Sequence, residues 1–276
     1  MNIFTVVLTQ PLANGLILFY RLLGGNMGLA IIAFSVFLRF VLNPLTKPYM
    51  NSMAKMKEFA PELEKLKERH QGDKIKFAQA QADFYKQKGI NPGAGCLPYL
   101  LQIVILIAFF NVFTMTLSSP NNPIENFNKL LYSPLRFSQN ETLNTRFLFL
   151  DIINPDTLTL PGIPFKLPGP VLFLAALVQF ISAKMMAPYT KTEEKFAEKT
   201  KGKEDDIQVA MQKSMIYTFP LFTLLIGMKF ASGLALYWLV FSLMQVYQQF
   251  KTQGWGGLTP WFMRLNLLKS VEKSRN

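Results

Sequence analysis

Apolar runs close to 20 residues long alternate with polar, charged segments along this chain. About 20 apolar residues is the length of α-helix that crosses the hydrocarbon core of a bilayer. Runs of this kind occupy 27–46, 97–117, 169–187, 212–229 and 232–250. The stretches 97–117 and 230–250 carry no charge over 21 residues each. The first run closes at Pro44 and holds Arg39 inside it. Only Lys229 to Gly233 separate the last two runs, a connection short enough to demand an antiparallel helical hairpin.

The segments between follow other patterns. Residues 1–25 are apolar but broken by Gln10, Pro11, Asn14 and Arg21, and Leu8, Leu12, Leu16, Phe19 and Leu23 form one helical stripe. A short span and an amphipathic helix at the interface both fit; the interruptions and Gly24-Gly25 favour the interfacial helix. In 47–96 the charges gather, while Met53, Met56, Ala60, Leu63 and Leu66 recur every three or four residues. A turn at Gly72-Asp73 leads to a second stripe of Ile75, Ala78, Ala82 and Tyr85, which predicts a helical hairpin outside the bilayer. Seven prolines in 118–168 mark an irregular loop with a short strand at Phe147-Leu148-Phe149. The segment 188–211 reads as a solvated loop, and 251–276 as a basic tail with Trp255 and Trp261 at the interface. The fold class is therefore an all-α polytopic membrane protein. It has a five-helix transmembrane core, an N-terminal interfacial helix and a cytoplasmic helical hairpin.

Composition agrees: of 276 residues, 50% are hydrophobic and only 17% charged, against about a quarter in soluble domains. The net charge of +12 sets the orientation. Placing 44–97, 184–213 and 251–276 in the cytoplasm puts 22 of the 29 Lys and Arg there, with the N-terminus outside and the C-terminus inside. Residues 1–25 lack the basic n-region and cleavage site of a secretory signal.

Several chemistries lack their groups. One cysteine, Cys96, and one histidine, His70, leave no internal disulfide and no Cys- or His-based metal or catalytic cluster. There is no GxxxxGK[ST], HExxH or GxSxG motif, and no acidic residue inside an apolar run. The expectation is a protein that is not an enzyme and needs no cofactor.

What remains is Arg39. At ~1.5 Å per residue it lies ~18 Å into a ~30 Å core. It either snorkels to the headgroups or lines a wet cavity, and the pattern alone leaves both open. Asn111, Thr114, Ser182, Thr218, Thr223, Ser242 and Gln245 fit interhelical hydrogen bonding. Gln102 and Gln179, long and costly to bury alone, are the candidates to share a cavity with Arg39.

The chain resembles the YidC/Oxa1/Alb3 family of membrane protein insertases. The likeness runs through Gln10-Pro11-Leu12, Arg39, Pro44-Leu45-Thr46-Lys47 and Ser52-Met53-Ala54-Lys55-Met56. It continues through Pro61, Gly89-x-Asn91-Pro92, Gly95-Cys96-Leu97-Pro98, Leu101-Gln102 and Ser232-Gly233-Leu234-Ala235-Leu236-Tyr237-Trp238. The resemblance implies the same five-helix core, interfacial helix and hairpin. It also implies a hydrophilic groove, open to the cytoplasm and lipid, with Arg39 in it and Gln102, Gln179 and Trp238 at further groove positions.

The implied function is insertion and folding of client membrane proteins without nucleotide hydrolysis. A small channel, a transporter or a non-inserting assembly factor is the alternative. Met50, Met53 and Met56 fit reception of nascent apolar segments and ordinary packing equally. The implied partners are nascent membrane proteins and the lipid bilayer, with the ribosome (through the basic cytoplasmic segments) and the Sec translocon as further candidates. A bacterial plasma membrane is the implied location. Ala231 stands where relatives often have Pro. The periplasmic domain of Gram-negative relatives and the lipoprotein cysteine of Gram-positive ones have no counterpart here, and the 118–168 loop is longer than the family pattern.

Overall fold

The structure is a computed structural model, which describes residues 2–70, 73–90, 97–117, 123–138, 140–186 and 205–264. A π-helical turn at Thr5–Thr9 opens into α1 (Gln10–Leu22), followed by α2 (Met27–Glu58), α3 (Ala60–Arg69), α4 (Lys74–Gln87), α5 (Leu97–Leu117) and α6 (Pro123–Leu130). Two small antiparallel hairpins come next, β1 (Arg146–Phe147) with β2 (Leu150–Asp151) and β3 (Thr157–Leu158) with β4 (Leu167–Pro168). The helices α7 (Pro170–Met186), α8 (Asp205–Gly227), α9 (Ser232–Gln253) and α10 (Thr259–Arg264) complete the order. Two compact units result. One comprises Met1–Leu42, Tyr99–Phe180 and Thr218–Met244, the other Asn43–Pro98, Ile181–Tyr217 and Gln245–Asn276.

α2 does not stop at Pro44. It runs through Pro44 and Pro48 to Glu58. A helical proline removes the amide that would serve the carbonyl four residues back, that of Phe40 for Pro44 and that of Pro44 for Pro48, and the helix nevertheless continues past both. The Thr46 hydroxyl, buried beside the two prolines, donates to the Asn43 carbonyl at 3.1 Å. The stretch Met27–Thr46 is long and apolar enough to cross a membrane; shorter apolar stretches are Ile103–Thr116, Pro170–Met185 and Ile216–Gly227.

In the first unit the core is aromatic. Phe109 stacks on Tyr237 at 4.4 Å between centroids, and Phe34 and Phe113 lie against Phe109 at 6.0 and 6.3 Å. The buried face of the N-terminal helix runs through Thr5, Thr9, Ala13, Leu16, Ile17 and Tyr20, not along the expected Leu8–Leu12–Leu16–Phe19–Leu23 row. Asn14 decides that rotation. Its side-chain amide donates to the Leu130 carbonyl at 3.0 Å, and its oxygen accepts the Tyr132 amide at 2.7 Å.

The long loop is more regular than its prolines suggest. The expected strand through Phe147-Leu148-Phe149 is instead a hairpin, with Leu148 in the turn at φ +54°. The second hairpin is anchored by Asp156, whose buried carboxylate accepts the Leu172 amide at 2.8 Å and so caps α7. Gly169, which precedes that helix, has no side chain to do so, and a Cβ there would collide with Asp156. Ser232 and Gly233 tie α9 to the same loop. The Ser232 hydroxyl donates to the Asp151 carbonyl at 2.8 Å, and the Gly233 amide to the Ile152 carbonyl at 3.1 Å.

In the second unit α3 and α4 pack together, with Phe59 and Phe84 edge to face at 6.2 Å. Lys88 pairs with Glu62 at 2.8 Å and lies over the Phe59 ring. Asp73 caps α4 by accepting the Lys76 amide, which holds its carboxyl below the usual value. The solvated loop expected at 188–211 falls largely outside the described residues, as do Cys96 and the end of the basic tail.

Candidate functional site

Arg39 projects from the apolar part of α2 and is only 5% exposed. Its guanidinium carbon sits 4.6 Å from the centre of the Phe241 ring. The quadrupole of a ring face attracts a cation, the more so once both are out of water. One turn earlier on α2, the buried Ser35 hydroxyl turns back to its own helix and donates to the Ile31 carbonyl at 2.5 Å. The arginine is thus held by an aromatic face within the protein.

Phe241 lies three residues beyond Trp238, on the same face of α9. Trp238 itself is buried in the aromatic core. The buried Ser242 continues this face. Helices α2 and α9 therefore bring Arg39 to Phe241, one turn along α9 from Trp238.

Gln179 has a different partner. Thr223 donates its hydroxyl to the Gln179 side-chain oxygen at 2.7 Å and also contacts the Phe219 carbonyl at 3.1 Å, linking α7 to α8. This is an interhelical hydrogen bond of the kind that holds apolar helices together. Gln102 lies on α5, and Met50, Met53 and Met56 on the distal part of α2; the side chains of these four are outside the described residues. Among the described residues, no group of three His, Cys, Asp or Glu side chains converges on a metal position.

Phe241 escaped the reading of the sequence. Nothing in the pattern separates it from the other members of a set of 25 phenylalanines, except its place one turn after Trp238. Thr223 was visible as a polar residue in an apolar run, but its pairing with Gln179 was not.

The family model described as 60Kd inner membrane protein matches residues 18–255. A membrane protein insertase YidC of Caulobacter vibrioides (strain NA1000 / CB15N) is 32% identical over 244 residues, 88% of this chain and 35% of that protein. One of Methylobacterium sp. (strain 4-46) is 28% identical over 275 residues, 96% of this chain and 39% of that protein. A third, of Fusobacterium nucleatum, is 32% identical over 226 residues, 82% of this chain and 85% of its own length. The chain thus spans little more than a third of the length of the first two relatives and most of the third. A match across 18–255, together with 32% identity to an insertase that the chain covers over 85% of its length, places the chain in the YidC family of 60Kd inner membrane proteins.

Proposed function

We propose that this chain is a membrane protein insertase of the bacterial inner membrane, working through a polar groove that contains Arg39 and needing no nucleotide hydrolysis. The observation that carries the proposal is Arg39 itself: a buried arginine within Met27–Thr46, the stretch apolar enough to cross a bilayer. A charge there costs about 2.5–3.5 kcal/mol on insertion scales, so a membrane helix keeps one only where it has a use.

The surfaces of the long helices support a bilayer setting. α2 exposes Leu29, Phe37, Val41 and Leu45 at helical spacing; α7 exposes Phe173, Leu174 and Leu177; α8 exposes Leu221, Phe222 and Leu225. Large apolar side chains exposed in rows are unfavourable in water and normal against lipid. In this reading α2, α5, α7, α8 and α9 form the five-span core, and the residues before Gly24 lie at the interface. The α3–α4 hairpin stands in the cytoplasm, where 22 of the 29 basic residues gather.

The mechanism requires no bond chemistry. A polar cavity in the inner leaflet lowers the barrier for a client's hydrophilic segment, and Arg39 attracts acidic residues in that segment. Gln102, Gln179 and the Trp238 face complete the lining. The client's own apolar helix then partitions into lipid, at roughly 0.3–0.6 kcal/mol per Leu, Ile, Phe or Val. Met50, Met53 and Met56, flexible and polarizable, would receive it at the foot of the hairpin. The basic tail favours ribosomal RNA or anionic lipid.

The test is reconstitution of the purified chain in liposomes with one client that has a short translocated tail. Protease protection of that tail, above the level of empty liposomes, is the expected result. Client binding without protection would identify an assembly factor, and ion flux in the absence of client would identify a channel.

A further inference from the structure

The β1–β2 hairpin ends in a tip with unusual chemistry for a water-facing turn. Leu148 is 84% exposed and Phe149 68% exposed. Leu148 also adopts φ +54°, a conformation that turns normally assign to Gly or Asn, because a Cβ is strained there. A strained turn that presents two large apolar side chains is the opposite of what water selects.

The level of this tip is set by α2. The Met27 amide donates to the Asn144 carbonyl at 3.2 Å, and the Asn26 side chain donates to the Arg146 carbonyl at 3.2 Å. Phe147 lies flush on Gly28, where even a methyl group would collide with its ring. Three consecutive residues at the start of the membrane-crossing stretch thus grip the hairpin. Its tip is one or two residues further on, at about 3.3 Å per residue. Arg146, exposed, flanks the tip with a positive charge. The nearby carboxylate of Asp151 is engaged within the loop, accepting from Thr145 at 2.9 Å and Asn154 at 2.8 Å.

We propose that Leu148 and Phe149 dip into the lipid headgroup layer at the N-terminal end of α2, with Arg146 against lipid phosphates. The hairpin fixes the depth of that end of the helix, as aromatic and basic residues do at membrane interfaces. This rests on α2 crossing the bilayer, and so on the reading above.

Depth-dependent quenching in liposomes tests it with the full chain. On a Cys96→Ser background, Phe149→Cys and, separately, Phe37→Cys carry an environment-sensitive fluorophore. Phe37 is an exposed residue about 15 Å along α2 from Met27, near the bilayer midplane. The expected result is blue-shifted emission at 149 that a nitroxide near the headgroup quenches more than one near the acyl end, with the reverse order at 37. Water-like, unquenched emission at 149 beside normal deep quenching at 37 overturns the hairpin proposal alone. Shielded emission at 149 that neither nitroxide quenches would mean a protein contact, and also overturns it. Loss of deep quenching at 37 would overturn the spanning of α2 and the hairpin proposal together.

Discussion

The Arg39 guanidinium lies 4.6 Å from the centre of the Phe241 ring, which joins the buried cation of α2 to α9. A cation on a desolvated aromatic face gains about 0.5–2 kcal/mol. Phe241→Leu keeps an apolar side chain of similar bulk and removes the ring. Insertion of clients with acidic tails should fall by several-fold, with little change for neutral tails. Phe241→Trp should retain activity. Paired insertion assays on the two clients read the difference, with membrane level of each variant as the control.

Gly233 sits where α9 meets the loop, and a Cβ would press on Ile152 and Phe113. Overpacking of this kind costs about 1–3 kcal/mol. Gly233→Ala should lower thermal stability in detergent, and Ser232→Ala, which loses its hydrogen bond to the Asp151 carbonyl, should lower it by about 1 kcal/mol.

Asn14 serves two backbone groups at the end of α6, the Leu130 carbonyl and the Tyr132 amide. Asn14→Leu leaves both without this partner, at about 1–3 kcal/mol for the buried Leu130 carbonyl and less for the partly exposed Tyr132 amide. Hydrogen exchange should quicken at Tyr132. Unchanged exchange there would mean that the loop is held by other contacts.

Asp73 gives the hairpin a pH dependence. Its carboxyl is held below the ordinary value, first by the Lys76 amide and then by the Lys76 side chain. A depressed carboxyl contributes stability above its unfolded-state pKa and loses that contribution as pH falls through the lower folded value. Protection of the Lys76 amide should therefore decline only in acid, below the usual carboxylate range. Asp73→Asn keeps an acceptor at the cap and should remove the pH dependence.

Residues differ in how plainly a sequence displays them. Arg39 stood out because a charge inside an apolar run is costly, whatever surrounds it. Asn14 looked like an interruption of the first helix, because its partners lie more than a hundred residues away along the chain. Pro44 resembled a helix end because proline removes a backbone donor, and only the structure reveals that α2 runs on past it to Glu58. The apolar run Phe147-Leu148-Phe149 suggested a strand, but only the backbone reveals that Leu148 turns it back on itself. Ser232 and Gly233 were conspicuous as a motif, and the structure supplies their physical reason, a close docking of α9 on the 151–154 loop.

The central claim is that Arg39 acts by its charge on the client, and matched clients with acidic and neutral translocated tails measure it most directly. A charge contact worth about 1.4 kcal/mol corresponds to a tenfold effect. In liposomes, Arg39→Ala should lower insertion of the acidic-tail client by about that factor and spare the neutral one. Arg39→Lys should keep most activity, since a point charge suffices. Equal insertion of both clients by wild type and Arg39→Ala, at equal protein level, would contradict the account.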